Sequence, residues 1–199
     1  MSAPRRRRRT PDEARAEALA CARRLLIARG PSGVSLQSVA REIGVTHGNL
    51  SHHFGSAAQL QSALMAAMVR DLAVALESAV VHIRADDAPR ALIDIVFDAF
   101  GEGGAGRLAA WIAVSNRYEH LEPIREAVGE LSVALAERIR AEEGADGGER
   151  LLRVTTALLF IALCAFGDAV IGIPLRDMVG RDADSVRRLA THLMSSLAE

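Results

Sequence analysis

Three histidines, His47, His52 and His53, stand within seven residues of one another, in the segment SVAREIGVTHGNLSHHF from 38 to 54. Imidazoles placed this close together can bind a metal ion, exchange protons in catalysis, or contact a molecule outside the protein. A metal site needs ligands on one helix face, typically four residues apart, together with a third ligand. His47 and His52 are five residues apart, and neither cysteines nor acidic residues cluster around them. We therefore expect no metal and no cofactor here.

Contact with an external molecule agrees best with the charge pattern of the chain. Acid–base catalysis is disfavoured because no nucleophile or pair of carboxylates shares the segment. The first 60 residues contain ten Arg against four acidic residues, whereas the remainder contains fourteen Arg against twenty-one. A basic head on an acidic body predicts a polyanionic partner at one end of the molecule. Every cation is Arg and none is Lys, and guanidinium groups bind phosphate and guanine edges bidentately.

The histidines must be positioned by a helix that follows a tight turn. Ser35 is expected to cap a short helix that ends at Gly44, and Thr46 to cap the next one, about His47–Phe54. Two helices that cross steeply need a small residue in the first helix, here Ala40, and a glycine in the turn. This order predicts a helix-turn-helix whose second helix points its N-terminus into a major groove. The apolar residues expected to lock the crossing are Val39, Ile43, Val45 and Leu50.

The outward face of the second helix is where we expect base contacts. Asn49 suits bidentate contact with adenine, and His47 can donate to guanine N7 or O6. Gly48 lets the backbone approach DNA closely. His52 and His53 are expected to meet phosphates or to brace the crossing. The predicted DNA-contacting set, which includes the start of the preceding helix, is Ser35, Gln37, Thr46, His47, Gly48, Asn49, Ser51, His52 and His53.

Residues 1–9 are predicted to form a disordered basic arm. Such an arm can lie along or in the minor groove beside a recognition helix; a solubilising tail is the alternative. A contribution to nonspecific DNA affinity is expected, because neutralising several phosphates gives a steep salt dependence. The arginines of the arm are Arg5, Arg6, Arg7, Arg8 and Arg9.

The rest of the chain is predicted to be helical as well. Thr10 and Glu13 form a capping box for the first helix, and further apolar residues recur at three- and four-residue spacing. We predict an all-α protein of about nine helices. An N-terminal three-helix helix-turn-helix DNA-binding domain is predicted over residues 10–56, and a larger helical domain over residues 57–199.

The segment GVTHGNLSHHF, followed by GSAAQL, resembles the TetR-type (TetR/AcrR-like) transcriptional regulators. The usual pattern there is Gly-Val-Ser-x-Gly-Thr-Leu-Tyr-x-His-Phe, followed by a short turn with lysine and leucine. The resemblance covers about Ala14–Leu64. Ser51 replaces the family's tyrosine and Ala57 replaces its turn lysine, so two residues that usually contact DNA phosphate are absent. The matching residues are Gly44, Val45, Thr46, Gly48, Leu50, His53, Phe54 and Leu60.

The resemblance implies a repressor that binds a palindromic operator as a homodimer and is released by a small-molecule effector. It also favours a four-helix dimer interface formed by the last two long helices. Gly148–Ile173 is apolar on nearly every face, and we expect Pro174 to help stop that helix. A central helix buried within one chain is the alternative. The predicted interface residues are Val154, Leu158, Ile161, Ala165, Ala169, Leu189, Leu193 and Leu197.

An effector pocket is expected among the middle helices, where aromatic and polar side chains occur together. Ordinary core packing is the alternative for each of these residues. The low aromatic content and the many Ala, Leu and Val residues hint at an apolar, aliphatic or lipid-like effector. The predicted lining residues are Phe97, Phe100, Trp111, Ser115, Asn116 and Tyr118.

Two other classes of function stay open. One is a helical interaction module that has lost DNA binding, which the departures Ser51 and Ala57 make conceivable. The other is an all-helical enzyme, which ranks lowest because no metal motif, nucleotide loop or triad is found. We expect a cytoplasmic protein without a membrane segment, since no signal peptide opens the chain and Asp168 interrupts the apolar run Ala157–Ile173.

Overall fold

The computed structural model describes residues 10–82, 88–115, 122–143 and 148–198, and the chain in these ranges is built of helices. A 3-10 turn (Pro31–Gly33) follows the first helix. A π turn (Asp168–Gly172) joins the helical segments Gly148–Gly167 and Ile173–Met178 in one continuous rod, Gly148–Met178. Counted this way, the described ranges contain nine separate helices, and the predicted all-α class is confirmed. The helices are α1 (Pro11–Arg29), α2 (Leu36–Ile43), α3 (His47–Phe54), α4 (Ala57–His82), α5 (Ala88–Phe100), α6 (Ala105–Val114), α7 (Glu122–Glu143), α8 (Gly148–Gly167), α9 (Ile173–Met178) and α10 (Ser185–Ala198).

The helix starts of the N-terminal region follow the predicted capping residues. The Thr10 N–H donates to the Glu13 carboxylate at 2.9 Å, and the Glu13 N–H donates to the Thr10 hydroxyl at 3.2 Å. Ser35 and Ser38 form the same reciprocal pair at the start of α2, at 3.0 and 3.1 Å. Each pair satisfies backbone donors that a helix leaves unpaired at its first turn.

A first hydrophobic core joins α1, α2 and α3 to the first half of α4 and the first turn of α6. Leu60 and Leu64 of α4 and Leu108 of α6 are almost fully buried in it, together with Leu26 of α1. The predicted domain boundary at residue 56/57 stays a prediction, but the core itself continues past that point. The helix-turn-helix is therefore fixed to the helices that follow it.

A buried glutamine adds a polar link to the same junction. Gln61 of α4 is only 9% exposed. Its side-chain amide donates to the Pro31 carbonyl at 3.3 Å and to the Val34 carbonyl at 3.0 Å. Those carbonyls belong to the α1–α2 connection, so the amide of Gln61 holds that connection against α4. It also satisfies the two carbonyl oxygens as hydrogen-bond acceptors.

A second core lies in the larger part of the chain, among α5, α8 and α10. Ile93 and Phe97 of α5 are buried there with Ile161 of α8 and Ala190 of α10. Leu72, on the second half of α4, packs against this cluster. Because its first half belongs to the first core, α4 passes through both and connects them mechanically.

The long apolar rod ends later than predicted. Pro174 was expected to help stop the helix near Ile173, but helical structure continues to Met178. The reason is the π turn Asp168–Gly172 directly before the proline. Proline cannot donate the next backbone hydrogen bond, and a π turn changes the bonding pattern locally, so the helix can continue past it. Asp168 and Arg176 form an ion pair across this turn.

A cluster of ion pairs joins α5 to the start of α10. Arg90 bonds Asp94 at 2.7 Å and Asp184 at 2.6 Å. Arg187 bonds Asp94 at 3.1 Å and lies over the Phe97 ring, 5.2 Å from its centroid. The side chains are about one quarter to two fifths exposed, so solvent weakens each pair, but their sharing of partners makes them act as a network.

These arginines lower the pKa of the carboxyl groups they face. Burial acts to raise the pKa of Asp94, but hydrogen bonds from Arg90 and Arg187 outweigh it, and the net change is downward. The hydrogen bond from Arg90 lowers the pKa of Asp184 as well. A carboxyl group with a lowered folded-state pKa stabilises the fold above its unfolded pKa of about 4 and loses that contribution as the pH falls through the folded-state value.

We expect Arg90→Met to lower the melting temperature at pH 7 by about 2–4 °C, because Asp94 and Asp184 each lose one of their arginine partners and keep only Arg187 and Arg188. The difference from the wild type should shrink as the pH falls below about 4 and through the lowered folded-state pKa of Asp94 and Asp184, because protonation removes the charges that Arg90 pairs with. Thermal unfolding followed by circular dichroism between pH 7 and pH 3 measures both. Arg125→Met is the control, since Arg125 is exposed and pairs with Glu122 within α7. A difference of the same size at pH 3 would contradict the network.

Candidate nucleic-acid interface

The candidate interface is formed by α3 and the turn before it, and it begins with a tight reversal of the chain between α2 and α3. Gly44 adopts the left-handed conformation, with φ 70° and ψ 36°. The N–H groups of Gly44 and Val45 both donate to the Ala40 carbonyl, the second at 3.0 Å. Only glycine adopts this conformation without steric cost, which is why the helix ends here and the chain turns at once.

Apolar side chains on the inner side of the turn hold α3 in place. Val39, Leu50 and Phe54 are at most 5% exposed, and Ile43 and Val45 pack against the same core. All four residues predicted to lock the crossing lie in this core or pack against it. Leu50 and Phe54 are four residues apart, so they form one face of α3 and turn its opposite face outward.

The first turn of α3 is exposed and carries the predicted base-reading residues together. Thr46 caps the helix, and its hydroxyl accepts a hydrogen bond from the Asn49 N–H at 3.3 Å. His47, Gly48 and Asn49 follow, all exposed. This turn therefore presents an imidazole, a bare backbone position and a carboxamide side by side, which are groups that can hydrogen bond to base edges in a major groove.

The last turn of α3 is tied to the protein more closely than the sequence indicates. The Ser51 hydroxyl donates to the Gly55 carbonyl at 3.2 Å, so its proton is used within the chain. His52 is exposed, whereas His53 is half-buried. The two imidazole rings lie edge to face, with centroids 5.8 Å apart. Of this group, His52 has the most freedom to meet a phosphate.

Arg15 on α1 braces the end of α3, and the sequence analysis missed it. Its guanidinium donates to the His53 carbonyl at 3.1 Å and lies 4.7 Å from the centroid of the Phe54 ring. The contact satisfies a carbonyl at a helix C-terminus and adds a cation–π interaction. Arg15 and His53 are 38 residues apart in sequence. No local spacing rule pairs residues at that distance.

The start of α2 places one predicted residue half-buried, Ser35, and one exposed, Gln37. The Ser35 hydroxyl accepts the Ser38 N–H and serves as a helix cap. The presence of a serine at residue 35 is therefore explained by the capping of α2. Gln37, in the first turn of α2, is exposed and keeps a side chain available for an external contact.

No group of three or more His, Cys, Asp or Glu side chains with metal-site geometry occurs in the part of the chain that the structure describes. His52 and His53 are adjacent in sequence, and His47 stands on the opposite turn of α3. The three imidazoles are therefore divided between the first and last turns of α3 and are not gathered at one point as the ligands of a metal ion are.

Comparison with known proteins identifies the domain that carries this surface. Residues 18–64 match the sequence profile of the bacterial regulatory proteins of the tetR family. The helix-turn-helix therefore lies within a segment similar to the N-terminal part of that family. The resemblance predicted over about Ala14–Leu64 is confirmed. A comparison with curated protein sequences finds no match.

Solved structures extend the TetR-type likeness to the whole fold. A protein of unknown function from Rhodococcus sp. RHA1 shares 22% identity with a TM-score of 0.64, and 96% of each chain is covered. A TetR-family transcriptional regulator from Pectobacterium atrosepticum shares 20% identity with a TM-score of 0.60, and 95% of each chain is covered. The choline complex of a protein from Saccharomonospora viridis shares 19% identity with a TM-score of 0.57, covering 92% of this chain and 96% of the other.

The protein thus has the fold of a TetR-family transcriptional regulator. The profile matched by residues 18–64 describes regulatory proteins, which agrees with the expectation of a non-enzymatic protein. The identities are near 20%, and at that level the solved structures inform the fold alone.

The predicted effector-pocket residues separate into two groups. Phe97 and Phe100 lie together in the second core, where Phe97 is 2% exposed. Trp111 is 43% exposed on α6, and Ser115, at the end of that helix, is exposed and donates to the Trp111 carbonyl at 2.7 Å. The described residues therefore place one pair inside the protein and the other pair on its surface.

The predicted dimer residues also divide, because the rod turns a different face outward from the one predicted. Ile161 and Ala165 are 2% and 1% exposed in the second core, and Ala169 contacts α6, so these three are used within the chain. Leu189 and Leu193 of α10 are 59% and 40% exposed. Val154 and Leu158 are half-buried.

Some predicted residues lie outside the described ranges. These are the arm residues Arg5, Arg6, Arg7, Arg8 and Arg9 and the pocket residues Asn116 and Tyr118, together with the side chain of Leu197.

Two glycines of this surface should respond oppositely to alanine. Gly44→Ala should destabilise the protein by about 1 kcal/mol, because alanine is strained at positive φ. Gly48→Ala should stabilise it by about 0.5–1 kcal/mol, because Gly48 is helical and an added Cβ would have no described neighbour within 4 Å. Urea unfolding at one fixed protein concentration measures both changes. Equal destabilisation by the two substitutions would contradict the turn geometry.

Proposed function

We propose that the protein is a ligand-responsive transcriptional repressor that binds a palindromic operator as a homodimer and is released by a small molecule. The observation that carries this proposal is the first turn of α3. There His47, Gly48 and Asn49 are exposed on a helix whose other face is fixed by Leu50 and Phe54. A recognition helix needs both properties, since base readout requires free side chains held at a fixed angle.

The chemistry of the turn favours readout of base edges. The Asn49 carboxamide has the donor and acceptor needed for adenine N7 and N6, and the His47 imidazole can donate to guanine. The absence of a side chain at Gly48 allows the helix to approach the groove floor. Phosphate contact is left to His52, to Gln37 and to the arginine-rich arm, since the Ser51 proton is engaged with Gly55.

An uncovered apolar face supports the homodimer. In the most apolar 18-residue stretch of the rod Gly148–Met178, only 17% of the residues are buried within the chain. Leu159 and Leu163 of α8 are 61% and 60% exposed, and Leu189 of α10 is 59% exposed. An apolar surface of this extent needs a partner. A second copy fits best, because an isologous contact between α8 and α10 pairs gives two recognition helices related by a two-fold axis.

The same rod is long and apolar enough to cross a membrane by composition. Its other face, however, carries Ile161 and Ala165, which are buried against α5 and α10. One side of the rod is thus committed to the chain's own core. We therefore assign the exposed side to a protein partner and the protein to the cytoplasm.

Effector response is proposed to act through α4. That helix contributes Leu64 to the first core and Leu72 to the second, so a molecule that separates the side chains of the second core would displace α4. The aromatic pair Phe97 and Phe100 makes this core the best candidate for an apolar effector. Binding would favour a state in which the two recognition helices no longer match the operator.

The double variant His47→Ala/Asn49→Ala should lose 100-fold or more in operator affinity, since each base contact accounts for about 1–3 kcal/mol. The measurement is a gel shift with DNA flanking the protein's own gene, in excess nonspecific competitor. Ser132→Ala is the control, because Ser132 bonds only the Val128 carbonyl of its own helix in the described structure.

A second variant separates DNA binding from folding. Gly48→Ala should weaken operator binding through the added methyl group although it leaves the helix intact. If wild-type protein shifts no DNA at all, the alternative of an interaction module without DNA binding is favoured. Unchanged affinity in the double variant would remove α3 from the interface.

Leu163→Glu should convert the dimer into a monomer, because it places a charge in the centre of the uncovered face. Val133→Glu on α7 is the matched control: Val133 is 57% exposed and Leu163 is 60% exposed, but α7 lies outside the proposed interface. Sedimentation velocity at micromolar concentration measures the mass. A Leu163→Glu protein that remains dimeric would contradict this interface, and so would a monomeric Val133→Glu protein.

A further inference from the structure

The start of α6 is wedged between the DNA-binding domain and the long apolar rod. Ala105 and Leu108, in the first turn and a half of α6, are buried in the first core with residues of α1, α2 and α3. The π turn of the rod packs against α6 from the other direction. One short segment therefore touches both parts of the molecule at once.

On the side of the DNA-binding domain, the contact is made at Gly104. Its backbone has φ +83°, which favours glycine, and a Cβ at this position would stand 3.3 Å from the side chain of Leu26. Leu26 belongs to α1 and is fully buried. The backbone of residue 104 thus lies directly against the core of the DNA-binding domain, with no side chain between them.

On the side of the rod, the contact is made at Gly106. A Cβ at this position would stand 2.6 Å from the Cβ of Ala169 and 3.0 Å from the Phe100 carbonyl oxygen. The first distance is shorter than two carbon atoms tolerate, so Ala169 occupies the space that a side chain at residue 106 would need. Ala169 belongs to the π turn Asp168–Gly172.

The π turn is held by a partly buried ion pair. Asp168 and Arg176 bond each other with side chains 19% and 13% exposed. In a regular α-helix, residues eight apart are rotated by about 80° from each other, and the wider π turn brings these two toward one face. Gly172 lies beneath the pair, and a Cβ there would collide with both side chains. The ion pair and the absence of a side chain at Gly172 both fit this turn, and Ala169 lies within it.

We propose that the π turn of the rod is a positioning device for the DNA-binding domain. It places the methyl group of Ala169 in the space left by the missing side chain of Gly106, which we call the notch. Through the nearby backbone of Gly104, which contacts Leu26, this packing sets the position of α1. The inference rests on the proposed function, since it needs a dimer that reads two half-sites. The rod supplies the proposed dimer face, so the two recognition helices take their separation from the same element that joins the two copies.

The packing of Ala169 against Gly106 affects the separation between the two recognition helices of the dimer and not the contacts of either helix with bases. Two recognition helices must meet half-sites about one DNA turn, roughly 34 Å, apart. A small rotation of each DNA-binding domain changes that separation, whereas α3 itself and its contacts within one half-site are unchanged. Disturbing the notch should therefore weaken binding to the complete operator and leave binding to a single half-site intact.

The test compares Gly106→Ala with Gly106→Ala/Ala169→Gly on two duplexes, one with the complete operator and one with a single half-site. Gly106→Ala should lower affinity for the complete operator by 5-fold or more and leave half-site affinity unchanged. Removing the methyl group of Ala169 should restore most of the loss. Gly129→Ala on α7 is the control: its added Cβ would meet nothing within 4 Å among the residues that the structure describes.

Three outcomes would overturn the positioning role. These are an unchanged complete-operator affinity in Gly106→Ala, equal losses on both duplexes, and a loss that Ala169→Gly does not relieve. Ala169→Gly alone serves if Gly106→Ala does not fold, since it opens the notch without adding atoms. It should also reduce discrimination between complete operators of different half-site spacing, and unaltered discrimination would overturn the proposal. Failure of the wild type to bind any operator contradicts the proposed function instead.

Discussion

The reversal at Gly44 is the constraint on which the DNA-facing surface depends. Two consecutive N–H groups share the Ala40 carbonyl, and the left-handed backbone turns the chain within two residues. Because the turn is so short, Leu50 and Phe54 enter the core formed by α1 and α2, and the opposite face of α3 must point outward. The exposure of His47 and Asn49 follows from this packing. A longer connection would allow α3 to roll about its axis and bury them.

Beyond that surface, the architecture is a chain of direct contacts between two cores. α4 belongs to both, the Gln61 amide holds the α1–α2 connection, and the start of α6 fills the space between α1 and the rod. None of these contacts passes through a flexible linker. A displacement in one core therefore reaches the other through packed side chains, which resist compression and transmit small shifts. These contacts are the physical basis of the proposed coupling between the second core and the exposed face of α3.

Local rules predicted much of this fold, and nonlocal contacts account for the rest. Thr10, Ser35 and Gly44 mark helix ends through bonds that span a few residues, so the sequence reveals them directly. Which face of α8 is buried was not predictable in the same way. A helix that is apolar all round has no pattern that distinguishes Ile161, which is buried, from Leu159, which is exposed. The π turn was not predicted for a related reason: the pairing of Asp168 with Arg176 across it exists only in the folded helix. The brace from Arg15 to the end of α3 depends on tertiary packing alone.

The uncovered face of the rod has a consequence for how much of this protein a cell must contain. In the proposed homodimer, a chain that exposes Leu159, Leu163 and Leu189 to water completes its burial of apolar surface only when it meets a second copy. Its stability then rises with its own concentration, as for other proteins whose folding and assembly are coupled. At low abundance most chains are solitary and open to proteolysis, so the number of competent molecules grows faster than the rate of synthesis. Such a steep dependence turns a gradual change in expression into a sharp onset of control.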